Sequence, residues 1–339
     1  MSLYARERRI AELAVERACR LTSIVSESQQ TGSVSKSDLS PVTVADFGAQ
    51  AVIIGALQNV FPADPVVGEE DSSILRNDVE LRERVWKLVV EASGDDYQSE
   101  IGQVENEEQM LDYIDWGRFE GGKVKRMWAL DPVDGTKGFL RRGQFAVCLA
   151  LIVDSKVVVG VIGCPNLLVD PADGSSGKGM LMSAVVGEGA FSRPLASPVG
   201  SARPIKMSSL TDITTASFCE SVEAGHSAHD QQAKIAQLLG ITKPSVRMDS
   251  QAKYASIARC DGDIYLRLPV SATYEEKIWD HASGNLLVTE AGGIVTDMFG
   301  NPLDFSQGRT LKKNKGIVAA SKAIQPKVLE VVQKVLQES

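Results

Sequence analysis

Hydrophobic and polar positions along the chain open with a helical stripe. Ile10, Leu13, Ala14, Ala18, Leu21, Ile24 and Val25 recur three and four apart, which predicts an amphipathic helix over 1–28 against a core. A polar Ser/Gly/Gln/Thr stretch over 26–37 predicts a loop, and 40–46 (S-P-V-T-V-A-D) predicts an extended piece ending on Asp46. A second helix is expected through Gln50, Ile53, Ile54 and Leu57, stopping near Phe61-Pro62. Val66-Val67 is a short β-branched run that breaks into Glu69, Glu70 and Asp71. The polar stretch 92–125 places Glu105, Glu107, Glu108, Asp112 and Asp115 around one expected helix and reads as a flap-like insertion.

Further along, the apolar lead-in at 128–130 predicts a buried strand that Asp131-Pro132 breaks sharply. Two β-rich runs, 145–153 and 157–162, joined by Asp154-Ser-Lys156, predict a hairpin that Gly163-Cys-Pro165-Asn166 ends. The polar 174–179 segment predicts a loop; it lacks the spacing of a phosphate-binding P-loop. Strands are expected at 180–186 and 189–191, then a Ser/Pro linker to about Arg203.

The pattern then changes to alternation. Short strands at 216–219, 245–247, 264–268 and 294–297 are interleaved with helices at 230–239, 252–258 and 280–291. A strand at 316–320 and a helix at 326–336 close the chain. Such alternation signals an α/β layer. The fold class is therefore α/β, an α+β part over 1–207 carrying most of the acids and an α/β part over 208–339.

Composition narrows the chemistry. A chain of 339 residues can bury a sizeable core, and 43% hydrophobic with 24% charged residues is the balance of a globular protein. A net charge of −8 and pI near 5.1 argue against a nucleic-acid binder, but not against a small phosphorylated ligand, because a bound divalent cation reverses the local sign. The five cysteines are scattered without a C-x-x-C pair, so reduced thiols in the cytoplasm are expected. No signal peptide or membrane span is expected: Arg6, Glu7, Arg8 and Arg9 stand where a leader's apolar core would be, and Asp154 and Lys156 interrupt the most apolar region.

Within D-P-V-D-G-T at 131–136, two carboxylates three residues apart can converge on one point. Gly135 lets backbone approach a ligand, Thr136 offers a hydroxyl, and a helix starting there would favour an anion. Alone, such a stretch is more often a surface turn with solvated acids. Glu69-Glu70-Asp71 alone reads as a solvated patch, and Asp280, at an expected helix start, as an N-cap. Four separate segments that each end a strand or open a helix with acids shift the balance toward a site for hard cations: Asp46, Glu69-Glu70, Asp131/Asp134 and Asp280.

Taken together, D-P-V-D-G-T at 131–136, W-D-H-A-S-G at 279–284 and G-E-E at 68–70 resemble the magnesium-dependent, lithium-sensitive phosphomonoesterase superfamily, the inositol monophosphatase-like proteins. The likeness covers nearly the whole chain. The branch it most resembles is the 3′(2′),5′-bisphosphate nucleotidases of fungal and plant type. That likeness rests on 40–46, E-G-G at 120–122, 131–141, Q-F-A-V-C-L-A-L-I at 144–152, G-H-S-A-H-D at 225–230, M-D-S-Q-A-K-Y at 248–254 and Y-L-R-L-P at 265–269. Ala45, Ser283 and Val133 are mild departures from the residues common at those positions.

The resemblance implies a layered αβαβα sandwich and two magnesium ions, with a third, weaker one near Glu69. It implies that Glu69, Asp131 and the Val133 carbonyl hold one ion, that Asp131, Asp134 and Asp280 hold the other, and that Glu70 stands behind them. Asp46 and Thr136 resemble the dyad that orients and deprotonates the attacking water, with the Gly135 and Thr136 N–H groups on the scissile phosphate. Lys253 and Arg267, with Ser250, are expected to hold a second phosphate, and His226 to border an adenine. As residues alone, His226 and His229 read as an ordinary loop pair, His281 as a packing group and Arg141 and Arg142 as solvated. The implied reaction is hydrolysis of the 3′-phosphate of adenosine 3′,5′-bisphosphate, or of 3′-phosphoadenylyl sulfate, by a lithium-inhibited monomer. An inositol polyphosphate 1-phosphatase or inositol monophosphatase, and a non-catalytic nucleotide or ion sensor, are the alternatives.

Overall fold

A computed structural model describes residues 3–27, 33–35, 41–94, 96–222, 229–269, 271 and 273–338. The first helix, α1 (Ala5–Glu27), turns Leu13, Ala14, Ala18 and Leu21 inward as its stripe predicts. A two-stranded pair, β1 (Ser33–Ser35) and β2 (Pro41–Thr43), lies where a loop and an extended piece are expected; the rest of 28–40 is outside the described residues. The second helix, α2 (Val44–Val60), begins earlier than the extended reading of 40–46 implies, so Asp46 sits in its first turn rather than at a strand end. Helix α2 is apolar all round and entirely buried over its first 14 residues, which is why its period is weak.

After β3 (Val66–Gly68) come α3 (Ser73–Asn77) and α4 (Val79–Ser93), for which the sequence reading offers no element. The segment expected as a flap carries α5 (Gln98–Ile101) and α6 (Glu107–Trp116). Ile101, Val104, Met110, Leu111 and Ile114 of that segment are buried in the same core as α1 and α2, so it is packed into the layer. Asn106 caps α6 by accepting from the Gln109 N–H at 2.9 Å.

Strand β4 (Arg126–Asp134) continues through Asp131-Pro132, where a sharp break is expected. It is followed by α7 (Thr136–Leu140) and an antiparallel meander of β5 (Ala146–Val153), β6 (Lys156–Asp170), β7 (Asp173–Val185), β8 (Gly189–Pro194) and β9 (Arg203–Ile205). The expected stop at 163–166 and loop at 174–179 are instead parts of the long β6–β7 hairpin, with register shifts absorbing Pro165. Strands β3 to β9 form one seven-stranded sheet in sequence order, β3 and β4 parallel and the rest antiparallel.

The second sheet takes β10 (Phe218–Glu220), β11 (Val246–Arg247), β12 (Ile264–Arg267), β13 (Gly293–Thr296) and β14 (Ile317–Ser321) in the order β11-β10-β12-β14-β13. Between them run α8 (His229–Leu239), α9 (Ala252–Ala258) and α10 (Ala282–Glu290), and α11 (Gln325–Gln337) ends the fold.

Three buried clusters define the layers. Leu149, Leu151, Trp128 and Leu130 face α1 and α2 on one side of the large sheet. Alternate residues Ala146, Cys148, Ala150 and Ala129 face α9, α10 and the inner side of the small sheet. Phe218, Ile264, Leu266 and Val318 face α8 and α11 on the outside. Helices, sheet, helices, sheet, helices: this is the αβαβα sandwich. Both faces of β5 are buried, which explains its unbroken apolar run. The small residues on the inner face bring α10 close: a Cβ at Gly160 would lie 2.9 Å from the Ser283 carbonyl oxygen.

Candidate functional site

The acids meet because of a fault in the β4–β5 ladder. Asp131 pairs with Cys148 and Asp134 with Ala146, so β4 takes three steps where β5 takes two. In a regular strand, residues three apart point to opposite faces; the one-residue bulge at Pro132-Val133 puts both carboxylates on the inner face. Proline is tolerated there because a bulge leaves a backbone N–H out of the ladder. Gly135 then turns the chain at φ 86°, a left-handed conformation that favours glycine, and a Cβ there would lie 3.0 Å from that of Ser250. Thr136 opens α7, its hydroxyl 3.4 Å from the Val133 carbonyl.

These residues line a cavity of about 330 Å³ that also takes in Glu69, Lys137, Asp249, Ser250, Gln251, Lys253, Tyr265, Arg267, Tyr274, Lys277, Trp279 and Asp280. Of the expected site residues, Glu69, Asp131, Val133, Asp134, Gly135, Thr136, Ser250, Lys253, Arg267 and Asp280 are therefore brought together. Asp46 and Glu70 are buried behind them. Gln50 fixes the Glu70 backbone from α2: its amide donates to the Glu70 carbonyl at 2.7 Å and accepts from the Glu70 N–H at 3.1 Å. His226 lies outside the described residues, and of His229 only its place at the start of α8 is described.

The acids raise one another's proton affinity. Burial pushes the Asp131 carboxyl well above the usual aspartate range, and Glu69, Asp134, Asp280 and Asp46 push it further. Asp280 is raised for the same reasons, with Arg267 opposing. Asp134 is raised to about 6 by burial, against Lys253, the Gln251 N–H and Arg267, which favour its charge. The Asp131 Oδ1 atom is buried without a hydrogen-bond partner. Clustered oxygen donors, one of them unsatisfied, and no sulfur or nitrogen ligand among them suit a hard divalent cation such as magnesium.

Two cations adjoin the acids. Lys253 is 3% exposed on α9, its ammonium 5.4 Å from the Tyr265 ring centroid. Burial lowers its pKa to about 8, although Asp134 opposes the shift. Arg267, at the end of β12, donates from Nε to Glu276 at 2.8 Å and approaches Asp280 at 4.0 Å. Glu276 is in turn bonded to His281 Nε2 at 3.1 Å, and His281 Nδ1 to the Tyr254 hydroxyl at 2.9 Å. Burial alone would raise Glu276, but Arg267 and His281 outweigh it and hold the carboxyl at about 2. Burial keeps His281 neutral by lowering its pKa.

Glu276, Asp280 and His281 could geometrically converge on a metal. The described hydrogen bonds instead commit both ring nitrogens and both Glu276 oxygens to Tyr254, His281 and Arg267, so this is an ion-pair network.

Sequence reasoning missed several parts. Gln251 ties the two halves together: its N–H donates to Asp134 at 2.6 Å, its amide donates to the Trp279 carbonyl at 2.8 Å and accepts from Gly284 at 2.9 Å. Its place inside M-D-S-Q-A-K-Y is the available signal. Arg141 is exposed, as expected, and its pairing with Asp249 at 2.5 Å is what the sequence did not show. Tyr274 and Lys277 gave no signal as single residues.

Among known proteins, the chain is 56% identical to a 3′(2′),5′-bisphosphate nucleotidase of Emericella nidulans over 98% of its own length and 99% of that protein's. It is 46% identical to one of Oryza sativa, covering 99% and 96%. Its fold matches the crystal structure of an extragenic suppressor protein from Bartonella henselae with a TM-score of 0.64 at 22% identity, covering 96% of this chain and 97% of that one. The model of the inositol monophosphatase family matches residues 4–337. A match of that extent, over the acids and both sheets that carry them, makes this chain a member of the inositol monophosphatase family.

Proposed function

We propose that this chain is a magnesium-dependent 3′(2′),5′-bisphosphate nucleotidase, hydrolysing adenosine 3′,5′-bisphosphate to AMP and phosphate and also accepting 3′-phosphoadenylyl sulfate. The observation that carries the reading is one cavity lined both by the acids and by two further cations, Lys253 and Arg267, more positive charge than one phosphate requires. The names of relatives about half identical over nearly the full chain point the same way.

Glu69, Asp131 and the Val133 carbonyl would hold one magnesium ion, and Asp131, Asp134 and Asp280 a second, with a third, weaker one beside Glu69. When bound, magnesium neutralises phosphate charge and makes water a competent nucleophile at neutral pH. The chain's own residues supply the rest. The Gly135 and Thr136 N–H groups face the scissile phosphate. Asp46 accepts the Thr136 hydroxyl proton, leaving the hydroxyl oxygen to orient the attacking water and take its proton toward Asp46. The water oxygen bonds to phosphorus as the bond to the ribose 3′ oxygen breaks, and that oxygen leaves with the bonding pair and takes a proton from solvent water. Lys253 and Arg267 hold the 5′ group, with Ser250 beside them and His226 bordering the adenine.

A domain division between 207 and 208 belongs to the same proposal, supported by the two sheets falling on either side. So do a monomer, since one chain lines the whole cavity, and residence in the cytoplasm, supported by five free cysteines. No helix among the described residues is long and apolar enough to cross a membrane.

The test is magnesium-dependent phosphate release from adenosine 3′,5′-bisphosphate, with inositol 1-phosphate and inositol 1,4-bisphosphate in parallel and Asp134→Asn as the blank. Release from the nucleotide that the variant lacks supports the proposal. Preference for an inositol phosphate would overturn the substrate, and magnesium binding without any release would make the chain a sensor.

A further inference from the structure

Arg309 lies on the connection between β13 and β14, outside the lining of the cavity, yet it touches the backbone leading into two of the acid-bearing segments. Its guanidinium donates to the carbonyl of Gly68, and to those of Gly117 and Phe119 at 3.3 and 3.0 Å. Gly68 immediately precedes Glu69, and its own N–H is held by the Gly117 carbonyl at 2.7 Å. The guanidinium carbon lies over the Trp279 ring, 4.8 Å from its centroid, and Trp279 immediately precedes Asp280. The Arg309 carbonyl also accepts from the Ile278 N–H at 3.1 Å, and the Leu311 N–H donates to the Glu276 carbonyl at 2.8 Å.

Glu69 leaves the large sheet at the end of β3, whereas Asp280 follows β12 of the small sheet and opens the way into α10. Two ligands on different layers have no covalent reason to keep a fixed separation. Magnesium demands near-ideal octahedral geometry, so a small drift of either carboxylate weakens binding. A planar, five-donor guanidinium that donates to three carbonyls and lies over an indole can clamp both segments at once; an ammonium cannot. Burial lowers the Arg309 pKa, and the nearby Glu120 and Glu69 charges oppose that shift, so the charge on Arg309 belongs to the site's field.

We propose that Arg309 is a positioning residue that sets the separation of the Glu69 and Asp280 carboxylates and thereby couples the two cation subsites. The inference rests on reading those two acids as metal ligands, and it does not depend on which phosphate ester is hydrolysed.

The experiment is magnesium titration calorimetry on the full chain after metal removal, for the wild type, Arg309→Lys and Arg309→Met. It is paired with thermal melting in EDTA and with kcat and KM for adenosine 3′,5′-bisphosphate. Both variants are expected to lose magnesium affinity by about ten- to a hundred-fold, as for groups that orient metal ligands. The kcat is expected to fall while KM at saturating magnesium stays near that of the wild type, and Arg309→Lys to recover little. Wild-type magnesium affinity in variants that merely melt earlier would overturn the proposal. Loss of a cooperative melt in both variants would overturn it too, since Arg309 would then serve folding. If the wild type binds magnesium and loses that binding on substitution but never releases phosphate, the nucleotidase reading fails and the role of Arg309 stands.

Discussion

Glu69, Asp131, Asp134 and Asp280 form an acidic end of the cavity and Lys253 and Arg267 an adjoining cationic end, Arg267 approaching Asp280 at 4.0 Å, but the two ends are stabilised differently. At the acidic end, burial and like charges push carboxyls up, with Lys253 and Arg267 only partly opposing, and an Asp131 oxygen has no partner. At the cationic end, Arg267 is held by Glu276, Glu276 by His281 and His281 by Tyr254. The first region carries an unsatisfied oxygen that suits a cation; in the second, Arg267 is paired within the fold. A crowded like-charge cluster favours binding a counter-ion, whereas a cation held in place by its own partners is a preorganised receptor for an anion.

The largest effect should come from the acidic end. Asp134→Asn removes a charge from the cluster, and we expect phosphate release to fall by about three orders of magnitude, roughly 4 kcal/mol of transition-state stabilisation, in a phosphate-release assay. A loss of only a few-fold would mean that the cluster is structural. At the cationic end, Lys253→Met and Arg267→Met should raise KM by about ten- to a hundred-fold, the worth of a charged hydrogen bond, with kcat changed less. An equal fall in kcat with KM intact would move these cations to the reacting phosphate and erase the contrast.

Protonation sharpens it further. Lys253 is lowered to about 8 by burial, so kcat/KM, which reports the free enzyme, should decline as pH rises through about 8; Lys253→Arg should shift that limb upward. Asp134 gives the smallest effect, with the opposite sense of charge. An unfolded aspartate ionises near 3.9, while native Asp134 without a cation keeps its proton to about 6. Between those values the native state binds more protons than the unfolded one, so metal-free stability should fall as pH rises through about 6. Magnesium should restore more melting temperature at about pH 7.5 than at about pH 5. Equal melting temperatures without metal at both values would show that the acids do not strain the fold.

Much was legible because local patterns carried it. The stripe of α1, the two-faced apolar runs of β5 and β6, and the α/β alternation after 208 follow from spacing alone. The acids were visible as four motifs. The readings that failed lie where tertiary packing overrides local signals. Pro132 and Pro165 read as breaks, yet each is absorbed by an irregular ladder. The polar 92–125 stretch read as a flap because its few apolar residues are the ones that face α2. The Arg141 pairing was not legible because its partner Asp249 is 108 residues away.

By itself the sequence determined which residues could do the chemistry: carboxylates at strand ends, a glycine that can turn at positive φ, and two cations in one later stretch. Those are properties of residue type and short spacing. Tertiary structure alone decided that they meet. A one-residue bulge turns Asp131 and Asp134 to the same face, small residues on the inner side of the large sheet admit α10, and Gln251 and Arg309 join segments from both sheets. Such contacts link positions far apart in the chain, where spacing carries no information, and only close packing brings them within hydrogen-bond reach.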